Sequence, residues 1–344
     1  LAALHRELDA APAFAAATLF FGGGTPNTYP ASEVARLAAR ARERFAPEGF
    51  AEVSIEMNPD AALCEPAVFE TYRAAGVDRV SFGVQSFVPA ELAALGRRHD
   101  AADVANAVAA ARRAGFDNVS LDLIFGTPGQ TAATWRESLD AALALAPEHV
   151  STYGLTVEPN TPYAEWFARR PADFGSNELE AELYAIAIDT LTAAGLEHYE
   201  ISNFARAGRR CRHNANYWQN GEYLGLGVGA ASYRNGVRSV ATRDLGAYLA
   251  AAESGGAIPG DAERLAGAAL LGEATMLLLR TAEGVDATAF AKRYGVDFHD
   301  YYEPVLTEMR AAGTLDVTDS HVRLTRRGRF VANDVCGAFV TFAG

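Results

Sequence analysis

The stretch Leu19-Phe20-Phe21-Gly22-Gly23-Gly24-Thr25-Pro26 joins a short apolar run to three glycines and a proline. The apolar part predicts a buried strand, and the glycines with Pro26 end it abruptly. Glycine has no Cβ, so a backbone built from it can approach a ligand closely. Alone, such an exit is equally a phosphate nest or a tight turn. Similar strand exits follow downstream, and one polar residue closes each: Glu56, Gln85 and Asp122.

Working outward, candidate strands at 18–21, 52–56, 79–84, 119–125 and 149–156 alternate with helical patterns at 33–45, 66–75, 103–114 and 131–145. Gly76 and Gly115 stand where helix C-caps are expected. This alternation predicts a parallel sheet, with ligand groups at the C-terminal strand ends as in βα barrels. Beyond residue 160 the character changes. A helix is expected at 177–194, with Asn177 and Glu180 at capping-box spacing. A strand at 198–202 and a polar, aromatic loop at 203–223 follow. The run Gly225–Gly229 fits a ligand-facing segment or close backbone packing equally well. A Gly/Ser/Pro-rich boundary at 253–260 precedes a helix at 263–280, short helices at 286–294 and 300–312, and a hairpin at 314–326. The expected organisation is an α/β barrel core over 1–160, a barrel extension over 161–255 and a winged-helix-like domain over 256–344.

The 344 residues carry a net charge of −13, which argues against a nucleic-acid surface. Residues 261–344 hold nine Arg or Lys against twelve Asp or Glu. Only Arg323, Arg326, Arg327 and Arg329 cluster there, so a partner-contact or substrate-covering role fits better than phosphate binding. No apolar run approaches the ~20 residues of a membrane span, so no stable membrane insertion is expected. Cys64, Cys211 and Cys336 lie too far apart in sequence for a disulfide framework or a local metal knuckle. Cys64 and Cys336 read as packing thiols, and the cytoplasm is the expected compartment.

Five segments in order carry a resemblance: FFGGGTP (20–26), VSIEMNP (53–59), VSFGVQSF (80–87) with LGRRH (95–99), VSLDLIFGTPGQ (119–130) and YGLTVEPNTP (153–162). Together they resemble the radical S-adenosylmethionine (SAM) family that contains oxygen-independent coproporphyrinogen III oxidase and its haem-chaperone relatives. The resemblance implies a partial (β/α) barrel with a C-terminal winged-helix-like domain. It implies S-adenosyl-L-methionine as cofactor, with Gly23, Gly24 and Thr25 at its methionyl end. Glu56, Gln85, Arg97 and Asp122 match the family's polar contacts, and Arg97 offers the forked donor suited to a carboxylate. Singly, each residue has a plain alternative: a loop cap for the carboxylates, a structural amide for Gln85, a surface cation for Arg97. The family's Cys-x3-Cys-x2-Cys motif, which holds a 4Fe–4S cluster, is absent from this sequence. Its ligands are expected upstream of residue 1, with the first βα unit.

The segment Cys211-Arg212-His213-Asn214-Ala215-Asn216-Tyr217-Trp218 matches the His-Asn-x-x-Tyr motif of the chaperone branch of that family. Imidazole, phenolate and thiolate are all haem-iron ligands, so the resemblance makes His213, Tyr217 and Cys211 haem-binding candidates, with the ligating atom left open. Trp218 and Tyr223 are placed to flank a flat macrocycle. The implied function is delivery of haem to haem-accepting proteins. The alternative is oxidative decarboxylation of coproporphyrinogen III. A third reading, a βα-barrel enzyme for a phosphorylated metabolite, explains the glycine runs but not the His213–Tyr217 motif.

Overall fold

Every second residue of 53–57, 80–84 and 119–125 is apolar, which gives the sheet one apolar and one polar face. A computed structural model of the chain describes residues 1–342. Its first part runs α1 (Ala2–Ala10), β1 (Thr18–Phe21), α2 (Ala31–Phe45), β2 (Glu52–Met57), α3 (Pro66–Ala74), β3 (Arg79–Gln85), α4 (Pro89–Ala94), α5 (Ala101–Arg113), β4 (Val119–Phe125), α6 (Ala132–Ala144) and β5 (His149–Gly154). Then come α7 (Pro162–Arg169), α8 (Asn177–Ala193), β6 (Glu197–His198), β7 (Asn203–Ala205) and α9 (Arg212–Trp218). The sheet order is β1-β2-β3-β4-β5-β7-β6. The first five strands are parallel, β7 runs antiparallel to β5, and β1 hydrogen-bonds to β2 alone. This is the open, partial barrel expected from the sequence.

The outer face of the sheet carries Ile55, Val80, Phe82, Val84, Leu121 and Leu123, all fully buried beneath the helices. The inner face carries Glu52, Ser54 and Glu56 on β2, Arg79 and Ser81 on β3, Ser120 and Asp122 on β4, and His149 and Ser151 on β5. Parallel strands packed on both faces read as continuous apolar runs. The alternation here instead lines the barrel interior with hydrogen-bonding groups, which is where ligand chemistry can sit.

The remainder comprises β8 (Ala231–Arg234), β9 (Val237–Ala241), α10 (Leu245–Ser254) and β10 (Gly260–Arg264), with a three-stranded antiparallel sheet ordered β10-β9-β8. A last unit contains α11 (Gly267–Leu279), β11 (Val285–Asp286), α12 (Ala287–Tyr294), α13 (Phe298–Ala311), β12 (Leu315–Val317), β13 (His321–Leu324), α14 (Arg326–Phe330) and α15 (Ala332–Val340). It has its own core around Phe290, Phe298, Tyr302 and Phe339, and a β11-β13-β12 sheet of winged-helix type. The middle stretch is distributed: α8 joins the barrel core, while α10 packs on α1 through Tyr248 and Ala252.

Several sequence expectations are corrected. Of the expected strand 198–202 only His198 is in a strand, β6; residues 199–202 form the bend to β7, where the Glu200 carboxylate accepts the Ser202 backbone N–H. The expected loop 203–223 contains β7 and helix α9. The N-cap of α8 is Ser176, whose hydroxyl accepts the Leu179 N–H, so the Asn177/Glu180 pairing does not cap it. The expected helix 263–280 begins at Gly267, and 260–264 is a charged edge strand paired with β9.

Candidate functional site

The glycine exit of β1 faces the C-terminal end of β2. Gly23, at φ 80°, donates its N–H to Glu56 Oε2 at 3.2 Å. A Cβ at Gly22 would press on the same carboxylate, whereas one at Gly24 would meet nothing within 4 Å. Thr25 accepts from the Asn58 side-chain amide at 3.4 Å, and Asn58 Oδ1 accepts from Arg97 Nη1 at 3.1 Å. Gly23, Glu56, Thr25 and Arg97 therefore share one rim. Burial, and then the Asp122 charge, push the Glu56 carboxyl above its usual range. Burial lowers the Arg97 guanidinium, a cost that a bound carboxylate would offset.

Gln85 ends β3 at φ 68°, a left-handed conformation that non-glycine residues rarely adopt. Its amide lies against Gly83. Asp122 is not at a strand exit, as the sequence reading had it, but in the middle of β4 on the inner face. It accepts from Ser151 at 2.6 Å, from Ser81 at 2.9 Å and from Ser120 at 3.3 Å. Burial raises its carboxyl despite these three donors. The run 225–229 is held by contacts within the protein. Gly225 packs on the Ala231 carbonyl and donates to Ser232, and Gly227 donates to Glu7.

At the other end of the strands, α9 lies against β1. His213 and Tyr217 are one helical turn apart and share a face. The His213 ring stacks on Phe20, centroids 4.8 Å apart and planes 9° apart. His213 Nδ1 meets Thr18 Oγ1 at 2.8 Å, and Nε2 meets the Tyr217 hydroxyl at 2.8 Å. Burial lowers the imidazole and pushes the Tyr217 phenol up to about 12. Tyr223 stands edge-on to Tyr217 at 4.7 Å, and Trp218 lies under Arg280. His213, Tyr217 and Tyr223 line a cavity of about 800 Å³ that runs along β1. Phe14, Leu37 and Phe45 supply apolar wall opposite.

Cys211 lies outside this cavity. It is fully buried, with its thiol 3.6 Å from Glu52 and raised chiefly by burial. Cys64 and Cys336 are also buried, raised by burial to about 12 and about 11, in keeping with packing thiols. Among the described residues no three His, Cys, Asp or Glu side chains converge as metal ligands. The cysteines present do not fit an iron–sulfur cluster.

Sequence reasoning missed Asn58, Glu52, Arg79 and Thr18. Asn58 stands inside the VSIEMNP segment and links Thr25 to Arg97. Glu52 and Arg79 are buried charges at strand starts, and an acidic or basic residue at the head of an apolar run was the available signal.

Residues 1–142 match the Radical SAM superfamily, and residues 265–331 match the HemN C-terminal domain. The chain is 36% identical over 324 residues to the heme chaperone HemW of Bacillus subtilis, covering 94% of this chain and 85% of that protein. It is 36% identical over 340 residues to the heme chaperone HemW of Mycobacterium tuberculosis, covering 97% and 84%. Coproporphyrinogen III oxidase (HemN) of Escherichia coli, a radical SAM enzyme of known structure, superposes with a TM-score of 0.83 at 25% identity, over 98% of this chain and 82% of that one. Extended likeness to these chaperones, over both the barrel and the C-terminal unit, means that the chain belongs to the HemW family of the radical SAM superfamily.

Proposed function

We propose that this chain is a haem chaperone that holds haem against α9 and passes it to haem-accepting proteins. The observation that carries the reading is the His213–Tyr217 pair, hydrogen-bonded at 2.8 Å on one face of α9. Neutral imidazole and phenolate are both haem-iron donors. Relatives of 36% identity named as haem chaperones support this over the coproporphyrinogen oxidase alternative, whose solved structure shares 25%.

Superfamily membership implies S-adenosylmethionine and a 4Fe–4S cluster. In this reading Gly23, Gly24 and Thr25 receive the methionyl end, and Glu56, Gln85, Arg97 and Asp122 take its polar groups. The ligands of the cluster lie outside Cys64, Cys211 and Cys336. The cytoplasm remains the proposed place of action, and no helix among the described residues is long and apolar enough to cross a membrane.

Titration of the chain with iron(III) protoporphyrin IX tests the proposal. Saturable binding with a shifted Soret band is expected, followed by transfer to an apo-haem protein. His213→Ala with Tyr217→Phe should alter the band and weaken binding, and His149→Ala should leave the band unchanged. An unaltered titration in the double variant overturns the haem site.

A further inference from the structure

The helix that carries His213 and Tyr217 has seven residues, and its N-cap residue, Cys211, makes no side-chain cap hydrogen bond. Its exposed N–H groups need partners, since the first N–H groups of any helix find none inside it. The partner comes from a different part of the chain. Glu52, at the start of β2 and 4% exposed, accepts the Arg212 N–H at 2.9 Å and the His213 N–H at 3.1 Å. The Cys211 thiol and the Ser54 hydroxyl complete its contacts. A carboxylate is costly to bury, and this one is spent on donors of α9 rather than on an ion pair. On the neighbouring strand, Thr18 engages Nδ1 of His213, and Phe20 fixes the ring plane.

We propose that Glu52 and Thr18 are the positioning residues of the haem contact: Glu52 fixes the backbone of α9, and Thr18 fixes the rotation of the His213 ring. Thr18 occupies Nδ1 and Tyr217 occupies Nε2, so exchange of the Tyr217 partner for iron would leave the ring still held by Thr18. Hydrogen bonds to the far nitrogen of a ligating histidine set its orientation, and their loss costs roughly ten- to hundredfold in metal affinity. The inference rests on the proposed haem site but makes its own claim, because Glu52 and Thr18 act through α9 and the His213 ring rather than as iron donors.

The test uses Glu52→Gln, Thr18→Val and Thr18→Ser, with His213→Ala as reference, each titrated with iron(III) protoporphyrin IX. Melting temperature and circular dichroism establish folding. Glu52→Gln keeps the side-chain shape but loses one acceptor, and Thr18→Val keeps the volume but loses the hydroxyl. Each should weaken haem binding about tenfold and change the Soret position and the axial-ligand signature in resonance Raman. Thr18→Ser should restore both. If Glu52→Gln does not fold, the Thr18→Val and Thr18→Ser pair decides the matter. Wild-type affinity and spectrum in the folded Glu52 and Thr18 variants, with His213→Ala still altered, would sink the inference and leave the haem site standing. An unaltered His213→Ala would remove the site itself.

Discussion

Single buried groups of this protein pull its pH dependence in two directions. Glu200 is 3% exposed, and burial raises its carboxyl to about 7. Its Oε1 has no hydrogen-bond partner. Between the ordinary carboxylate range and pH 7 the folded state holds a proton that the unfolded state has lost, so stability falls as pH rises through that window. Glu200→Gln should therefore raise the unfolding free energy at pH 8 by an amount on the order of 1–3 kcal/mol, and change it little near pH 4.5. Equal destabilisation at both pH values would contradict this. Histidines act from the acid side. Burial lowers His149 well below its usual value and His198 to about 4. Both stay neutral in the fold while the unfolded chain protonates below about pH 6.5, so their contribution is lost as pH falls. No sequence pattern marks these groups, because burial by distant elements shifts them.

Elements were legible in proportion to how far their own residues determine them. The five parallel strands follow from a clear alternation, and Gly76 and Gly115 do close their helices, each at φ 89°. Helix α9 was read as a loop because its cap, Glu52, stands far away in sequence; tertiary contact overrides weak local preference. Strand β10 escaped because Gly260–Arg264 is wholly exposed and charged, with no apolar face to reveal it. The glycines of the two runs divide by the same criterion. Gly225→Ala would drive a Cβ into the Ala231 carbonyl, where backbone cannot easily yield. It should cost about 1–3 kcal/mol, measured by chemical denaturation. Gly24 has open space around it, so Gly24→Ala should change stability by less than about 0.5 kcal/mol. The same variant should weaken S-adenosylmethionine binding if the cofactor approaches that backbone. A Gly24→Ala protein that binds the cofactor normally would argue that the exit is only a turn.

At the scale of the whole molecule, two cores meet along a seam of backbone and side-chain contacts. Ile201 donates to the Arg280 carbonyl and Ala282 to the Tyr199 carbonyl, so backbone crosses between the barrel and the C-terminal unit. Arg326 grips Asp189 through both nitrogens, but in an exposed pair that contributes little. Phe298 is fully buried against Phe290 and Tyr302, at 4.9 and 5.1 Å. Phe298→Ala should cost about 3–5 kcal/mol. Hydrogen exchange should show protection lost in α11–α15 and at the Tyr199–Ile201 seam, with β3 and β4 unchanged. Uniform loss across both cores would show a single cooperative unit. The seam was invisible in the sequence, because the bend at Glu200 that makes it looked like a strand. One feature of the sheet stores energy. Gln85 holds a left-handed backbone at the end of β3, a conformation that costs roughly 1–3 kcal/mol outside glycine. The rest of the fold keeps that rim under tension, and Gln85→Gly should release it as a gain in stability on chemical denaturation.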